Sequence, residues 1–189
     1  MPKSAAWRRR YSRLWRDEVL ILTPSEFMRR KVIELGASPQ QVVVQHNGID
    51  LDTWSCSDPS SRHAGKVSFL FVGRLIEKKG PRELVKAFAR LRQLAPELDA
   101  DLTLCGSGSL EAALRRDIAG FGLKDVVHLR GAVSNAQVRQ AMMQAHIMVQ
   151  HSVETASGDM EGLPVSLTEA AASGLPIIAT RHSGIPEIV

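Results

Sequence analysis

With 189 residues, 44% of them apolar and 23% charged, the chain has an ordinary globular composition and is long enough for one domain or for parts of two. No apolar run approaches the roughly 20 residues of a membrane span, and no apolar stretch follows the Arg-rich N-terminus as it would in a secretory signal. The formal charge is +4, but Lys3, Arg8, Arg9, Arg10, Arg13 and Arg16 put +6 on residues 1–16 with no acid among them, leaving −2 on the rest and excluding a basic nucleic-acid-binding body.

Trp7, Tyr11, Leu14 and Trp15 recur at helical spacing among these arginines and predict a basic amphipathic helix. It can lie on an anionic membrane surface with its rings at headgroup level, or pack its aromatic face on another part of the protein. Val19–Leu22 is a short apolar run and a predicted strand. A helix is predicted next, with Thr23 as cap, Pro24 at the first helical position, Glu26 completing a capping box and Gly36 as the stop. Val42–Val44 is the following strand, and His46-Asn47-Gly48 is a turn. Residues 51–66, rich in Ser, Asp, Pro and Gly, are predicted to be an interdomain linker.

Beyond the linker the pattern becomes regular. Strands are predicted at 67–72, 101–104, 126–129, 147–150 and 176–179, and helices near 81–94, 109–120, 135–144 and 165–173. Strands alternating with helices of this length imply an α/β fold with a parallel sheet and right-handed crossovers. Ligands on such sheets bind outside the carboxyl ends of the strands, so the segments after each strand are where chemistry is expected.

Gly73-Arg74-Leu75-Ile76-Glu77-Lys78-Lys79-Gly80 follows the first of these strands. Gly73 permits close backbone approach to a ligand. Arg74 offers a planar fork for phosphate oxygens and Lys79 a flexible point charge; read alone, the segment is equally a solvated basic loop. Gly106-Ser107-Gly108-Ser109 lacks the third glycine of a dinucleotide fingerprint, since Glu111 stands in its place. It is read as a tight turn with Ser109 capping the next helix, and NAD binding is rejected. Leu129-Arg130-Gly131 ends another strand, either as simple termination or as a source of backbone contacts to a nucleobase.

The most informative stretch runs from Glu161 to Glu169, with seven residues between the two carboxylates. Pro164 is expected at the first helical position. Free N–H groups and the positive end of the dipole there form an anion site. Two carboxylates beside such a site suit a phosphate flanked by hydroxyl-rich groups, as in a nucleotide sugar; the spacing by itself more often means surface charge on a helix, and it is the neighbouring residues that favour the ligand. Ser157-Gly158-Asp159-Met160 is expected to be a sugar-facing loop, and Thr180–Glu187 to line the same crevice.

Other signals carry less. Asp50-Leu51-Asp52 lies at the linker and Asp99-Ala100-Asp101 at the wrong end of its strand, so neither is taken as a metal pair. The six histidines show no paired ligand spacing, and Cys56 and Cys105 read as idle thiols of a reducing compartment. No G-x-S-x-G elbow or G-x-x-x-x-G-K-[ST] loop occurs, so α/β-hydrolase and P-loop readings fail.

Taken in order, Thr23–Glu26, His46–Asp50, Phe71–Arg74, Glu77–Gly80, Gly106–Gly108, Glu161–Glu169, Leu175-Pro176 and Gly184–Glu187 resemble glycosyltransferase family 4, the retaining enzymes of the GT-B fold. The likeness covers about residues 18–189. Gly158–Gly162 and His182–Pro186 look closest to bacterial exopolysaccharide enzymes of the colanic-acid type. The resemblance implies that Arg74 and Lys79 hold the donor diphosphate and that Glu161 contacts the transferred sugar. It also implies that Glu169 accepts from the ribose hydroxyls, and that the Gly162-Leu163-Pro164-Val165 backbone meets phosphate and sugar. Arg74, Lys79 and Glu161 are thus the expected catalytic residues. Gly73 and Leu129 join Arg74, Lys79, Glu161, Gly162–Val165 and Glu169 as expected donor-binding residues.

No essential metal or cofactor is implied; a UDP- or GDP-sugar is the donor substrate, and the acceptor is a saccharide or lipid-linked sugar. The expected place is the cytoplasm, with residues 1–16 able to rest on the inner face of the plasma membrane. Residues 1–50 are then the end of an N-terminal acceptor domain, 51–66 the linker, and 67–189 a Rossmann-like donor domain truncated at its C-terminus. The fragment is expected to transfer sugar poorly or not at all by itself. Competing readings are a nucleotide-sugar epimerase of the same architecture, which needs no separate acceptor, and a non-catalytic nucleotide-binding module.

Overall fold

The computed structural model describes Ser12, Trp15 and residues 19–54 and 65–189. Two parallel sheets are present among them. The smaller pairs β1 (Ile21–Thr23) with β2 (Val42–Val44), joined by helix α1 (Glu26–Glu34). The larger contains β3 (Val67–Val72), β4 (Ala100–Cys105), β5 (Val127–Gly131), β6 (Ile147–Gln150) and β7 (Ile177–Ala179) in the order β5-β4-β3-β6-β7. Its helices are α2 (Pro81–Leu94), α3 (Glu111–Gly120), α4 (Asn135–Gln144) and α5 (Val165–Ala172).

The large sheet is apolar on both faces, as a covered parallel sheet must be. Leu84, Val85, Phe88 and Ala89 of α2, with Leu114 and Ile118 of α3, pack on Phe71, Leu102 and Leu104. Phe69 and Phe88 meet edge to face, with centroids 5.9 Å apart. On the opposite face Val138 and Met142 of α4 and Leu167 and Ala170 of α5 pack with Leu70, Cys105 and Met148. Each of the Leu, Val, Ile, Phe and Met side chains, once buried, contributes about 1.5–3 kcal/mol. Strand order runs outward from β3 to β5, then crosses back so that β6 pairs with the other edge of β3. The cleft between β3 and β6 is therefore the switch point where open α/β sheets bind ligands.

The predicted helices 81–94 and 135–144 and strands 67–72 and 147–150 occur with those bounds. Several local expectations are corrected. Thr23 ends β1 and does not cap α1; Ser25 is the N-cap, its side chain accepting from the Met28 amide, and Glu26 is the first helical residue. Thr23 stays in the strand because its N-terminal neighbours pair in register with Val42 and Val43. No turn forms at 46–48. Gln45 N–H still donates to Thr23 O, and His46 Nδ1 donates to Pro24 O at 3.0 Å, which holds the chain along β1. The turn comes at Leu51–Thr53, where Asp50 accepts from the Asp52 amide and the Thr53 hydroxyl. Ser109 does not cap α3, whose N-cap is Leu110 without a side-chain bond.

The predicted basic helix lies outside the described residues except at Ser12 and Trp15. Trp15 donates its indole N–H to Leu35 O at the end of α1. The central part of the predicted linker, residues 55–64, also lies outside them. Trp54 just before it is buried, with Arg139 of α4 over its ring. Among the described residues no helix is long and apolar enough to cross a membrane.

Candidate functional site

The loop after β3 is fused to the loop after β4. Gly73 N–H donates to Cys105 O, Leu75 N–H to Ser107 O, and Leu110 N–H to Leu75 O. The backbones approach so closely that a Cβ on Gly106 would lie 1.9 Å from Gly73 O, and one on Gly108 would lie 2.4 Å from Leu75 O. The glycine turn after β4 thus seats the β3 loop, and a dinucleotide need not be invoked for it. With Leu75 fully buried as the anchor, Arg74 is turned outward and exposed. Among the described residues it has no ion pair or side-chain hydrogen bond, so its guanidinium is available to an anion. Beside Gly73 a Cβ would make only ordinary contacts, to Phe71 and Lys79, so the close approach expected there concerns space open to a ligand and not packing.

A single 3-10 turn, Glu77–Lys79, leads to Gly80 in the left-handed region at φ 57°. A Cβ on Gly80 would stand 1.8 Å from the carbonyl oxygen of His151, just past β6. The two strand ends are thereby held together, and the lysines of the turn reach across. Lys78 pairs with Asp159 at 3.1 Å and Lys79 with Glu161 at 2.8 Å. Val153 N–H also donates to Lys78 O. The Lys79 and Glu161 side chains are only 12% and 8% exposed, so this pair is screened little by water. One Glu161 oxygen holds Lys79; Oε1 is buried without a hydrogen-bond partner. A buried carboxylate oxygen left without a partner is uncommon and calls for a water, an ion or a ligand to complete it.

The Glu161 peptide is itself gripped by the turn after β7. Glu161 N–H points to His182 Nε2 at 3.4 Å, which requires a neutral ring nitrogen there. Burial lowers the His182 pKa and favours that neutral form, while the Glu161 and Glu154 charges push it the other way. The Ser183 hydroxyl donates to Glu161 O and to Gly162 O, and Gly184 N–H donates to Gly162 O at 3.1 Å. Ser183 holds φ at 53°, a conformation that costs a non-glycine residue.

Helix α5 begins at Val165. Pro164, expected at the first helical position, is instead the N-cap with ψ 113°; its carbonyl starts the helix by accepting from Leu167 N–H. No side chain caps α5, so the Val165 and Ser166 amides ahead of Leu167 are offered to the cleft. Buried Gln150 ties this end to β6, donating to Ser152 Oγ and accepting from Ser166 Oγ. Glu169 lies one turn further along, and burial raises its carboxyl pKa. Leu163 is half-buried and Val165 exposed at this same entry.

The structure thus gathers Gly73, Arg74, Lys79, Glu161, Gly162 and the Leu163-Pro164-Val165 helix entry around the switch point. Leu129 is apart from them, on β5 two strands from β3, with its side chain packed on the α2–α3 core. Only its backbone can serve a base. Sequence reasoning placed Thr180–Glu187 at this crevice but did not single out His182, Ser183 or Glu187. A Ser-Gly pair a few residues past a strand, with a proline two positions on, was the available signal for a tight turn. Asp50 and Asp101 are engaged elsewhere, Asp50 in its turn and Asp101 with Lys66. Among the described residues, no group of three or more His, Cys, Asp or Glu side chains is placed to hold a metal ion.

Residues 56–189 match the family model described as glycosyl transferases group 1. The chain is 35% identical over 179 residues to the amylovoran biosynthesis glycosyltransferase AmsK of Erwinia amylovora, covering 95% of this chain and 43% of that protein. It is 33% identical over 179 residues to WcaL of Escherichia coli (strain K12), a protein named for colanic acid biosynthesis, with the same two coverages. The chain therefore spans less than half the length of these relatives. In three dimensions it is similar to Anabaena Alr3699/HepE, solved with UDP and glucose, at a TM-score of 0.82 and 21% identity over 98% of this chain and 51% of that one. The lipopolysaccharide outer core galactosyltransferase WaaB gives 0.70 at 23% identity, over 89% and 44%. These likenesses fix the architecture as that of GT-B glycosyltransferases, with a Rossmann-like parallel sheet.

Proposed function

The chain belongs to the group 1 glycosyl transferases, and from that premise we propose that it is the donor-binding part of an enzyme that moves a sugar from a UDP- or GDP-sugar to a saccharide or lipid-linked acceptor in cell-envelope or exopolysaccharide synthesis. The observation that carries this reading is the meeting of exposed Arg74, the Lys79–Glu161 pair and the uncapped start of α5 at one switch point. AmsK, by its name, acts in amylovoran biosynthesis, and HepE was solved with UDP and glucose; both support the donor and product classes proposed.

In this reading the donor diphosphate lies between Arg74, Lys79 and the first-turn amides of α5. These groups stabilise the negative charge that grows on the leaving diphosphate as the glycosidic bond breaks. Cations and oriented dipoles supply that stabilisation without a metal ion. Lys79 is held by Glu161 before the donor arrives, and the approaching phosphate oxygens share its protons. The free oxygen of Glu161 accepts from a hydroxyl of the transferred sugar, and Glu169 accepts from the ribose. Backbone atoms near Leu129 face the base, and the product keeps the donor's anomeric configuration. The site works at the cytoplasmic face of the membrane, where residues 1–16 bring the protein to a lipid-linked acceptor.

Calorimetric titration with UDP, GDP and NAD tests the reading. UDP or GDP is expected to bind and NAD to fail. Binding of NAD alone, or of none of the three to folded protein, would overturn it.

A further inference from the structure

One segment touches both the small sheet's helix and the sugar-facing glutamate. Glu187, in the 3-10 turn Ile185–Glu187, crosses to α1 and accepts from the Glu26 amide with Oε2 at 2.9 Å and from the Phe27 amide with Oε1 at 3.1 Å. It completes a cap that Ser25 begins at the Met28 amide. Three residues back, Gly184 is wedged between the same helix start and the donor loop. A Cβ there would lie 2.7 Å from Ser25 Cβ and 2.5 Å from Gly162 O. Ser183, at its strained φ of 53°, then grips the Glu161 and Gly162 carbonyls. Pro24 closes the stack from the other side, 3.2 Å from where a Cβ on Gly162 would be.

We infer that Ser183 and Glu187 are positioning residues for Glu161. The segment 182–187 carries the placement of α1 to the Glu161–Gly162 peptide, and so sets the carboxylate that meets the transferred sugar. The consequence for ligands rests on the proposed donor site; the mechanical link does not. A helix N-terminus is bound by two amides to one carboxylate, and the same six-residue segment makes three hydrogen bonds to two consecutive carbonyls of the donor loop. A shift of α1 therefore cannot leave the Glu161 peptide unmoved unless one of these sets breaks. Movement of the small-sheet part relative to the large sheet would then alter sugar contact and leave the diphosphate cradle of Arg74 and α5 in place.

Amide hydrogen exchange on this chain tests the link without a ligand. Loss of a cap of this kind is worth about a fivefold to tenfold change. Glu187→Ala is expected to speed exchange at Glu26 and Phe27 by that factor, and to speed it likewise at Gly184, whose amide is bonded to Gly162. Glu187→Gln, which keeps one acceptor oxygen, is expected to restore part of the protection at both places. Faster exchange at Glu26 and Phe27 with Gly184 unchanged would overturn the inference.

Titration with UDP and UDP-glucose, and with GDP and GDP-mannose, gives the second readout. Ser183→Ala and Glu187→Ala are expected to weaken the sugar-bearing form several-fold while the bare nucleotide stays within twofold. Equal weakening of both forms would contradict a positioning role. A wild-type chain that binds neither nucleotide would sink the donor site, and the exchange result would still decide the link.

Discussion

Lys79 Nζ sits 2.8 Å from Glu161 Oε2 with both side chains nearly withdrawn from water, while Arg74, at the start of the same loop, is exposed and without a counter-ion among the described residues. The two cations are therefore prepared differently. Arg74 is open to solvent, whereas Lys79 is already engaged by Glu161.

Removing one partner of a nearly buried pair strands the other. Lys79→Ala leaves Glu161 with both oxygens unpaired, since Oε1 already lacks a partner. The expected loss is about 3 kcal/mol of unfolding free energy. Lys79→Met with Glu161→Leu, which removes both charges and keeps the bulk, is expected to recover most of it. Urea denaturation of the single and double variants measures the coupling; additive losses would show that the pair is not held as the structure has it.

Gly80 and Gly120 predict opposite signs for the same substitution. Alanine at Gly80 meets His151 O and a left-handed φ of 57°, and is expected to cost about 3 kcal/mol or more. Alanine at Gly120, the last residue of α3 with open space around it, is expected to stabilise by about 0.5 kcal/mol. Thermal melts of the two variants check both.

The fold was largely legible because periodicity reports burial, and burial dominates here. Helices 81–94 and 135–144 occur with the bounds their patterns gave, and so does the alternation that forces a parallel sheet. Local capping was less legible: Thr23, Pro24, Ser25 and Glu26 offer several capping registers, and strand pairing to Val44 decides among them. The pairing of Lys79 with Glu161 could not be read from the residues alone, since it spans 82 positions and depends on β6 lying next to β3. Ser183 and Glu187 escaped for the same reason. Their partners, Glu161 and the start of α1, are distant in sequence and bind through backbone atoms, which leave no side-chain signature.

His182 gives a pH dependence with a fixed sign. Burial depresses its folded pKa below the ordinary histidine value, so the unfolded chain takes up the proton first as pH falls. Its contribution to stability is present above the ordinary value and is lost as pH drops from there toward the depressed one. Wild-type protein is expected to lose stability across that window more steeply than His182→Asn. Parallel urea midpoints for the two from pH 7.5 to 5.5 would contradict the half-buried, neutral imidazole.

Glu169 has the opposite linkage. Burial raises its folded pKa, so stability is full below the ordinary glutamate value and is lost as pH rises through the raised one. Glu169→Gln is expected to raise the melting temperature by a few degrees and to weaken nucleotide binding about tenfold, as loss of a charged acceptor does. A variant that is both less stable and fully competent in binding would remove Glu169 from the site.

If Arg74 and the start of α5 hold a diphosphate as proposed, affinity for a nucleoside diphosphate against the matching monophosphate reports it. Calorimetry with UDP and UMP, and with GDP and GMP, would be run on wild type and Arg74→Ala. For the nucleoside the protein selects, the diphosphate is expected to lose about tenfold in the variant while the monophosphate changes less than twofold, so the preference for the second phosphate collapses. An unchanged preference, or equal loss for both ligands, would contradict it.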